Sequence, residues 1–255
     1  MKISVVIVNH NTPKLVRDCL ASLRRYLKMP LEVIVVNNGA DRYRGAREAV
    51  IDLGDNPGFG ASNNVGAGQA TGNILWFLNS DTLLADDSIE KVFEYVARHE
   101  DAGIVTPLLY RDAKCHTLQS DFYAKRQTLG TLLTRRAKPK INLKSGDFMP
   151  VDVVVGASMV ARREVFEKLG GFDERIFMYL EDDDLCYRAR KAGYRVGIYT
   201  GARVVHWRGG SIRSHRQRKR LYYQSQNYFW RKHYGIMAMW LMRMIRWPLK
   251  CVKTI

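Results

Sequence analysis

Beyond Asp184 the chain has no acidic residue at all, although residues 185–255 carry 17 of its 41 lysines and arginines. The formal charge of +16 therefore sits in the C-terminal part, because residues 1–184 balance 24 bases against 25 acids. A block of one sign points to a polyanion, which could be nucleic acid, an anionic membrane surface or a phosphorylated substrate; a merely solvated face is the plainer reading. Cysteine is scarce too. Cys19, Cys115, Cys186 and Cys251 stand far apart without a C-x-x-C pair, which argues against a zinc site or a disulfide framework and fits a reducing cytosol. No run reaches the roughly 18 apolar residues that span a bilayer, and the opening MKISVVIVNHN lacks the features of a signal peptide. The expectation is a protein that is not integral to a membrane but can lie on one.

What is present is ample apolar material for one large or two small domains: 46% hydrophobic residues in a chain of 255. Ile3 to Val8 is a β-branched run of the kind buried on both faces of a parallel sheet. Thr12 is placed to cap a helix with Pro13 in its first turn, and Leu15, Val16, Cys19, Leu20, Leu23 and Leu27 then share one face. The unit recurs through LEVIVVNNG, AVIDLGDNPGFG, the small-residue helix ASNNVGAGQATG and the strand NILWFLNSDT, implying a parallel sheet with right-handed crossovers. Ligands of such sheets bind at the carboxyl ends of strands, here NHN, NNG and NSD. A helix in DDSIEKVFEYVARHE and a strand in AGIVTPLLY follow, then an irregular basic excursion from Arg111 to Pro150. Order returns with a strand, a break at Gly156, a helix from about Arg163 to Leu169, and a strand pair in YRVGIYTGARVVHW.

Four constellations carry chemistry. Asp81 in LNSDT is either a turn former or a hard oxygen ligand holding a divalent ion against a diphosphate. The loop NPGFGASNNVG resembles a phosphate cradle only loosely and is equally a structural turn. In YLEDDDLCYRAR, first-turn acids suit a helix macrodipole, and Asp184 and Arg188 are spaced to pair. Glu181 is expected to start that helix, shape the cleft and find a nearby base; Asp183 is left as an acid on the solvent side or behind the site. Asp182 is the candidate general base, because the apolar IFMY before the cluster puts it on a cleft floor where like charges raise proton affinity. His206, in VVHWRGGS, is a satisfied structural histidine or a third metal ligand.

Taken in order, SVVIVNHN, VIVVNNG, NPGFGASNNVG, LNSDT, GASMVARREVFEKLGGFDE, YLEDDDLCYRARKAGY and VVHWRGGS resemble the inverting family 2 glycosyltransferases of GT-A fold, most of all their bacterial rhamnosyltransferase-like branch. The resemblance runs from about residue 3 to 212. It implies an α/β fold with a mostly parallel, Rossmann-like central sheet flanked by helices, ending in a basic amphipathic helical tail. A catalytic domain would cover 1–212, with nucleotide-sugar binding in about 1–110 and the acceptor and catalytic part in about 150–212; the tail would be 213–255. Asn9, Asn11, Asn38, Asn56, Gly58, Gly60, Asn63, Asn79 and Ser80 would line the donor site. Asp81 would be the metal-binding Asp and His206 would complete the metal site for Mg or Mn. Gly156, Ala157 and Glu181 would floor the sugar and acceptor pocket, and Asp182 would be the base. Two positions depart from the family pattern: Asn79 stands where the motif has its first Asp, and VNNGA stands where many relatives have VDDGS. By analogy the donor would be dTDP-L-rhamnose rather than a UDP-sugar, and the acceptor a hydroxyl of a surface polysaccharide or lipid-linked glycan.

From Arg213 the tail interleaves bases with aromatics and methionines. Arg243, Arg246, Lys250 and Lys253 fall on one helical stripe, and Met239, Trp240, Met242, Met244 and Trp247 fill much of the rest, with Pro248 placed to bend or end the helix. Such a helix suits the plane of an anionic membrane, which would make the protein peripheral on the inner face of the cell membrane. The alternatives are packing on the chain's own domain or a homodimer contact. A nucleic-acid module would use the same charge but leaves the strand-end polar residues without a purpose, so no nucleic-acid partner is expected. A nucleotidyltransferase is the enzyme rival, separable by its release of pyrophosphate.

Overall fold

The computed structural model describes residues 1–133, 146–207 and 214–251. The basic stretch 134–145, the Gly209, Gly210 and Ser211 segment, Arg213 and Lys253 lie outside these residues. So do the side chains of Trp247 and Lys250, which the sequence placed on the tail stripe.

The chain runs β1 (Ile3–Asn9), α1 (Pro13–Tyr26), β2 (Leu31–Asn37), β3 (Ala49–Asp52), α2 (Phe59–Gln69), β4 (Ile74–Asn79), β5 (Thr82–Leu83), α3 (Glu90–Arg98) and β6 (Ala102–Tyr110). It continues through β7 (Tyr123–Ala124), α4 (Leu129–Leu133), β8 (Phe148–Pro150), β9 (Val153–Val154), β10 (Ser158–Arg162), α5 (Arg163–Lys168), α6 (Glu181–Lys191), β11 (Arg195–His206) and α7 (His215–Cys251). The expected irregular excursion thus contains two short strands and a short helix among its described residues.

Nine strands form one sheet in the order β3-β2-β1-β4-β10-β6-β11-β5, with β8 beside β11. The β3-β2-β1-β4 half is parallel, as the repeated strand and helix units predict. The sheet as a whole is mixed, because β10 pairs antiparallel with both β4 and β6, while β11 pairs parallel with β6 and antiparallel with β5 and β8. The strand pair expected in the last apolar segment is instead one strand, β11, whose register with β6 slips between Tyr199 and Arg203.

Every residue of β1 is buried, as a β-branched run covered on both faces requires. On α1, Val16, Cys19, Leu20 and Leu23 are buried, and Pro13 begins the helix where a missing N–H costs nothing. Thr12 does not cap it; its hydroxyl lies between Asn9 Oδ1 and Ser80 Oγ. Helix α2 has almost no apolar face, and its small residues let it ride close to the sheet: a Cβ on Gly66 would stand 2.4 Å from Val6. In the core, Trp76 is fully buried and donates its indole N–H to Ser158 Oγ at 2.9 Å, tying β4 to β10.

Helix α7 breaks at Gly235, where the backbone takes φ 89° and ψ 170°. Beyond it the helix turns back on its own first arm: Met239 and Met242 pack with Phe229 and Trp230, and Arg246 donates to Gln226 and Asn227. The bend is therefore at Gly235, and the backbone stays helical across Pro248.

Candidate functional site

The pairing directions put the ends of β1, β2, β4, β6 and β11 and the start of β10 on one edge of the sheet. Asn9, Asn37, Asn79 and His206 are the last residues of β1, β2, β4 and β11, so the polar residues ending these strands gather there.

Under the first part of this edge is an asparagine lattice. Asn9 is fully buried and donates to Asn37 Oδ1 at 2.7 Å and to the Asp41 carbonyl at 2.8 Å, while its own Oδ1 receives the Thr12 N–H at 2.9 Å. Asn37 in turn donates to Asp52 and to the Tyr43 carbonyl. Asn11, exposed and in the left-handed region at φ 58°, accepts the Asp41 N–H at 2.8 Å. Asn9 and Asn11 thus hold the 38–43 loop in place. Asn38 differs: it is buried, and its Oδ1 has no hydrogen-bond partner among the described residues. An amide oxygen left that way is suited to accept an N–H from a ligand.

The loop before α2 is structurally demanding. Asn56 Oδ1 accepts the Gly58 N–H at 3.0 Å, and Gly58 has φ 102° with room for no side chain, since a Cβ would meet the Phe177 carbonyl oxygen at 2.3 Å. Gly60 packs on Phe172 and Glu181, and Asn63, almost fully buried, donates back to the Phe59 carbonyl. Asn63 is therefore engaged within its own helix.

After β4, Ser80 Oγ lies 3.0 Å from Thr12 Oγ1, and the Asp81 carbonyl receives the Trp207 N–H at 2.9 Å. Asp81 Oδ1 then faces His206 Nε2 at 3.3 Å. The other ring nitrogen, Nδ1, is 2.9 Å from Oε1 of the buried Gln119. A proton on Nδ1 donated to that oxygen leaves an Nε2 lone pair facing a carboxylate, an arrangement that a cation between the two groups stabilises. The donor set, one oxygen and one imidazole nitrogen, fits a divalent ion that takes its remaining ligands from phosphate and water. Among the described residues no three His, Cys, Asp or Glu side chains converge.

Helix α6 brings in the acids from the other side of β10. It is entered through Tyr179 and Leu180, both left-handed at φ 66° and 72°. Two consecutive side-chain-bearing residues in that region cost about 1–3 kcal/mol each and persist only where packing enforces them. Asp182 Oδ2 receives the Gly156 N–H at 3.2 Å, and its Oδ1 receives the Asp183 N–H at 2.8 Å. Ala157, next to Gly156, turns its carbonyl to the Asn79 N–H at 2.9 Å.

The remaining acids are handled separately. Glu181 is only 7% exposed and its Oε2 has no partner, and no ion pair of Glu181 with a base is found among the described residues. Burial pushes its carboxyl well above the usual range, and the neighbouring Asp182 and Asp183 charges add to this. A proton on Glu181 would relieve part of the repulsion among the neighbouring carboxylates. Asp183 is buried, not on the solvent side, and accepts from Gln127 Nε2 at 3.5 Å. Asp184 is fully buried and paired with Arg188 at 2.7 Å as its spacing predicts, and with Lys232 at 2.5 Å and His233 at 2.7 Å. Burial opposes its charge, but the His233 hydrogen bond and the Arg188 and Lys232 charges outweigh it and hold the carboxyl below its usual range.

Gln119, Gln127, Lys232 and His233 were not singled out by sequence. Gln119 and Gln127 sit in the irregular segment, where no periodicity marks a buried amide, and Lys232 and His233 sit inside the basic block, where charge composition hides an inward-facing lysine and histidine.

Residues 4–170 match the family described as Glycosyl transferase family 2, and residues 144–209 match the N-terminal domain of galactosyltransferase. The chain is 26% identical over 243 residues to an N-acetylglucosaminyl-diphospho-decaprenol L-rhamnosyltransferase of Mycobacterium tuberculosis, covering 81% of this chain and 76% of that protein. It is 29% identical over 166 residues to the rhamnosyltransferase WbbL of Escherichia coli, covering 59% of this chain and 61% of that one. A similar match to the O-antigen biosynthesis protein RfbC of Myxococcus xanthus, 29% identical over 84% of this chain, spans only 18% of that longer protein. Among solved structures, a mannosyltransferase from Pyrobaculum calidifontis in complex with GDP-Man and Mn2+ superposes with a TM-score of 0.61 at 14% identity, over all of this chain and 76% of that one. GalNAc-T7 with UDP, GalNAc and Mn2+ gives 0.62 at 16% identity, over 81% of this chain and 44% of that one. The fold is thus GT-A, and with two thirds of its length matched by the family pattern the chain belongs to glycosyl transferase family 2.

Proposed function

We propose that the protein transfers a sugar from a nucleotide-sugar to an acceptor hydroxyl by a single, configuration-inverting displacement. One relationship carries this reading: the Gly156–Ala157 dipeptide is held by Asp182 on one side and by the strand end leading to Asp81 on the other. Asp182 and the strand end carrying Asp81 thereby flank a floor made of two small residues, which supports a reading in which a base and a cation-bridged diphosphate face each other across it.

In this reading Asp182 takes the proton of the attacking hydroxyl, with the Gly156 and Asp183 N–H groups fixing its orientation. Asp81 and His206 would hold a divalent Mg or Mn ion, which when bound neutralises charge on the departing nucleoside diphosphate. Asn38, whose buried oxygen has no partner among the described residues, would accept from the nucleobase, and Asn11, Asn56, Gly58, Gly60, Asn63, Asn79 and Ser80 would shape the donor pocket around it. Protonated Glu181 would offer an O–H to the sugar or the acceptor.

The names of the rhamnosyltransferase relatives support rhamnose as the transferred sugar, and the N-acetylglucosaminyl-diphospho-decaprenol in one of them supports a lipid-linked acceptor; dTDP-L-rhamnose is the donor proposed with them, and a polysaccharide hydroxyl is the alternative acceptor. An acceptor of that kind calls for work at a membrane surface, and no helix among the described residues is long and apolar enough to cross one.

The test is a thermal-shift screen of nucleoside diphosphates and nucleotide-sugars with and without Mg or Mn, followed by product analysis. Stabilisation by thymidine diphosphate plus metal, and release of nucleoside diphosphate on turnover of dTDP-rhamnose, are expected. Turnover only with UDP-sugars would overturn the donor, and release of pyrophosphate would overturn the reaction class.

A further inference from the structure

The second arm of α7 presents two unlike faces. Met239 and Met242 are buried against Phe229, Trp230, Leu129 and Leu132, and Arg246 is turned inward to Gln226, Asn227 and the Tyr223 ring. The opposite face carries Ile236, Met237, Trp240, Leu241 and Met244, exposed by 59%, 84%, 51%, 41% and 63%. Their spacing places all five on one contiguous helical stripe. The tail is therefore not a single outward-facing stripe: Phe229, Trp230, Met239 and Met242 close a core, and Ile236, Met237, Trp240, Leu241 and Met244 form an outward ridge that begins just after the Gly235 break. Protein surfaces seldom keep so many large apolar side chains together without something to cover them.

The surroundings of the ridge are cationic. Arg243 flanks it, its guanidinium 4.3 Å from the centre of the Trp240 ring. The arms run antiparallel, with residue 246 beside 223–227 and residues 239 and 242 beside 229 and 230, so the helix beyond 246 runs back toward the start of the first arm. There Arg216, Arg218, Lys219 and Arg220 are all exposed. No acid follows Asp184 anywhere in the sequence to neutralise them.

We propose that this ridge is a docking face for an anionic lipid surface: the five apolar side chains enter the headgroup boundary, and Arg243 and the basic start of α7 meet the lipid phosphates. The proposal rests on the membrane-surface acceptor suggested above, but it concerns the chain's own adhesion and needs no sugar transfer. A second copy of the chain fits the same face poorly, because a twofold contact across the ridge would bring Arg243 and the basic turns of both copies together, and the tail itself carries no acid to receive them.

The experiment is vesicle flotation of the full chain on phosphatidylcholine vesicles with and without about one third phosphatidylglycerol, beside the double variant Met237→Glu/Trp240→Glu and the triple variant Arg216→Ser/Lys219→Ser/Arg220→Ser. Both sets of side chains are exposed, so unchanged unfolding temperature and unchanged nucleoside diphosphate binding are the controls. Wild-type should float with the anionic vesicles only; the double variant should bind them at least about tenfold more weakly, as loss of two inserted apolar side chains requires. The triple variant should lose the preference for the anionic lipid. Equal flotation of the double variant and wild-type would overturn the proposal, and so would a dimer in sedimentation velocity that the double variant abolishes while vesicles bind neither form. Loss of nucleoside diphosphate binding in wild-type would instead refute the transfer reading and leave the docking result standing.

Discussion

Asp182 Oδ2 and the backbone nitrogen of Gly156 are 3.2 Å apart, a contact that fixes the carboxylate of a helix start against the first residue of a sheet floor. Two backbone N–H groups, those of Gly156 and Asp183, aim the carboxylate. Asp182→Asn keeps the shape and can still accept the N–H, but it cannot take a proton. Turnover should fall about 10²- to 10⁴-fold while affinity for the nucleoside diphosphate stays within a small factor of wild-type. Steady-state kinetics with calorimetric nucleotide binding measure both, and near wild-type turnover would remove Asp182 from the role of base.

The buried amide of Gln119 sits 2.9 Å from His206 Nδ1 and sets which ring nitrogen faces Asp81. Gln119→Leu leaves both proposed ligands in place but frees the ring. Groups behind a metal ligand commonly matter by 10- to 100-fold in metal affinity, so the Mn concentration needed for nucleoside diphosphate binding should rise by about that factor. The readout is a metal titration at fixed nucleotide, with His206→Ala as the stronger reference. An unchanged titration curve would mean the amide only fills space.

Much of the fold could be read from pattern, because β1, β2 and β4 are largely apolar runs that end in an asparagine, and burial on both faces of a sheet favours such runs. The antiparallel insertion of β10 could not, since a five-residue strand reads alike in either direction. Within the acidic cluster, the Asp184–Arg188 pair followed from helical spacing, whereas its link to Lys232 and His233 spans about fifty residues and no local rule reaches that far. Glu181 starts the helix as its place in the sequence predicts, but whether the fold brings a base within its reach is not written in local sequence, and among the described residues none pairs with it.

Lys232 is the node between the tail and the acidic helix. It lies 2.7 Å from Asp173 and 2.5 Å from the fully buried Asp184. Removing one partner from a buried ion pair costs about 3–5 kcal/mol, and because Arg188 and His233 remain on Asp184 the lower end applies to Lys232→Met. At roughly 2–4 °C per kcal/mol for a chain of this size, the unfolding temperature should drop by several degrees, and Lys232→Arg should restore part of it. A melting curve identical to wild-type would show that the tail does not support the helix.

Glu181 gives the test with a sign. Its folded carboxyl titrates well above an ordinary glutamate because it is buried beside Asp182 and Asp183. For such a group the contribution to stability is fully present below the unfolded value, near 4.3, and is lost progressively as pH rises toward the folded value. Glu181→Gln mimics the protonated acid and cannot ionise, so it escapes that loss. The variant should therefore be more stable than wild-type at pH 7 to 8, with the gain shrinking as pH is lowered and vanishing below the ordinary glutamate range. Denaturant unfolding of both proteins across pH 4 to 8 measures it. A difference independent of pH would mean that Glu181 is ionised in the folded protein, and the relief of repulsion assigned to its proton would have to come from elsewhere in the cluster.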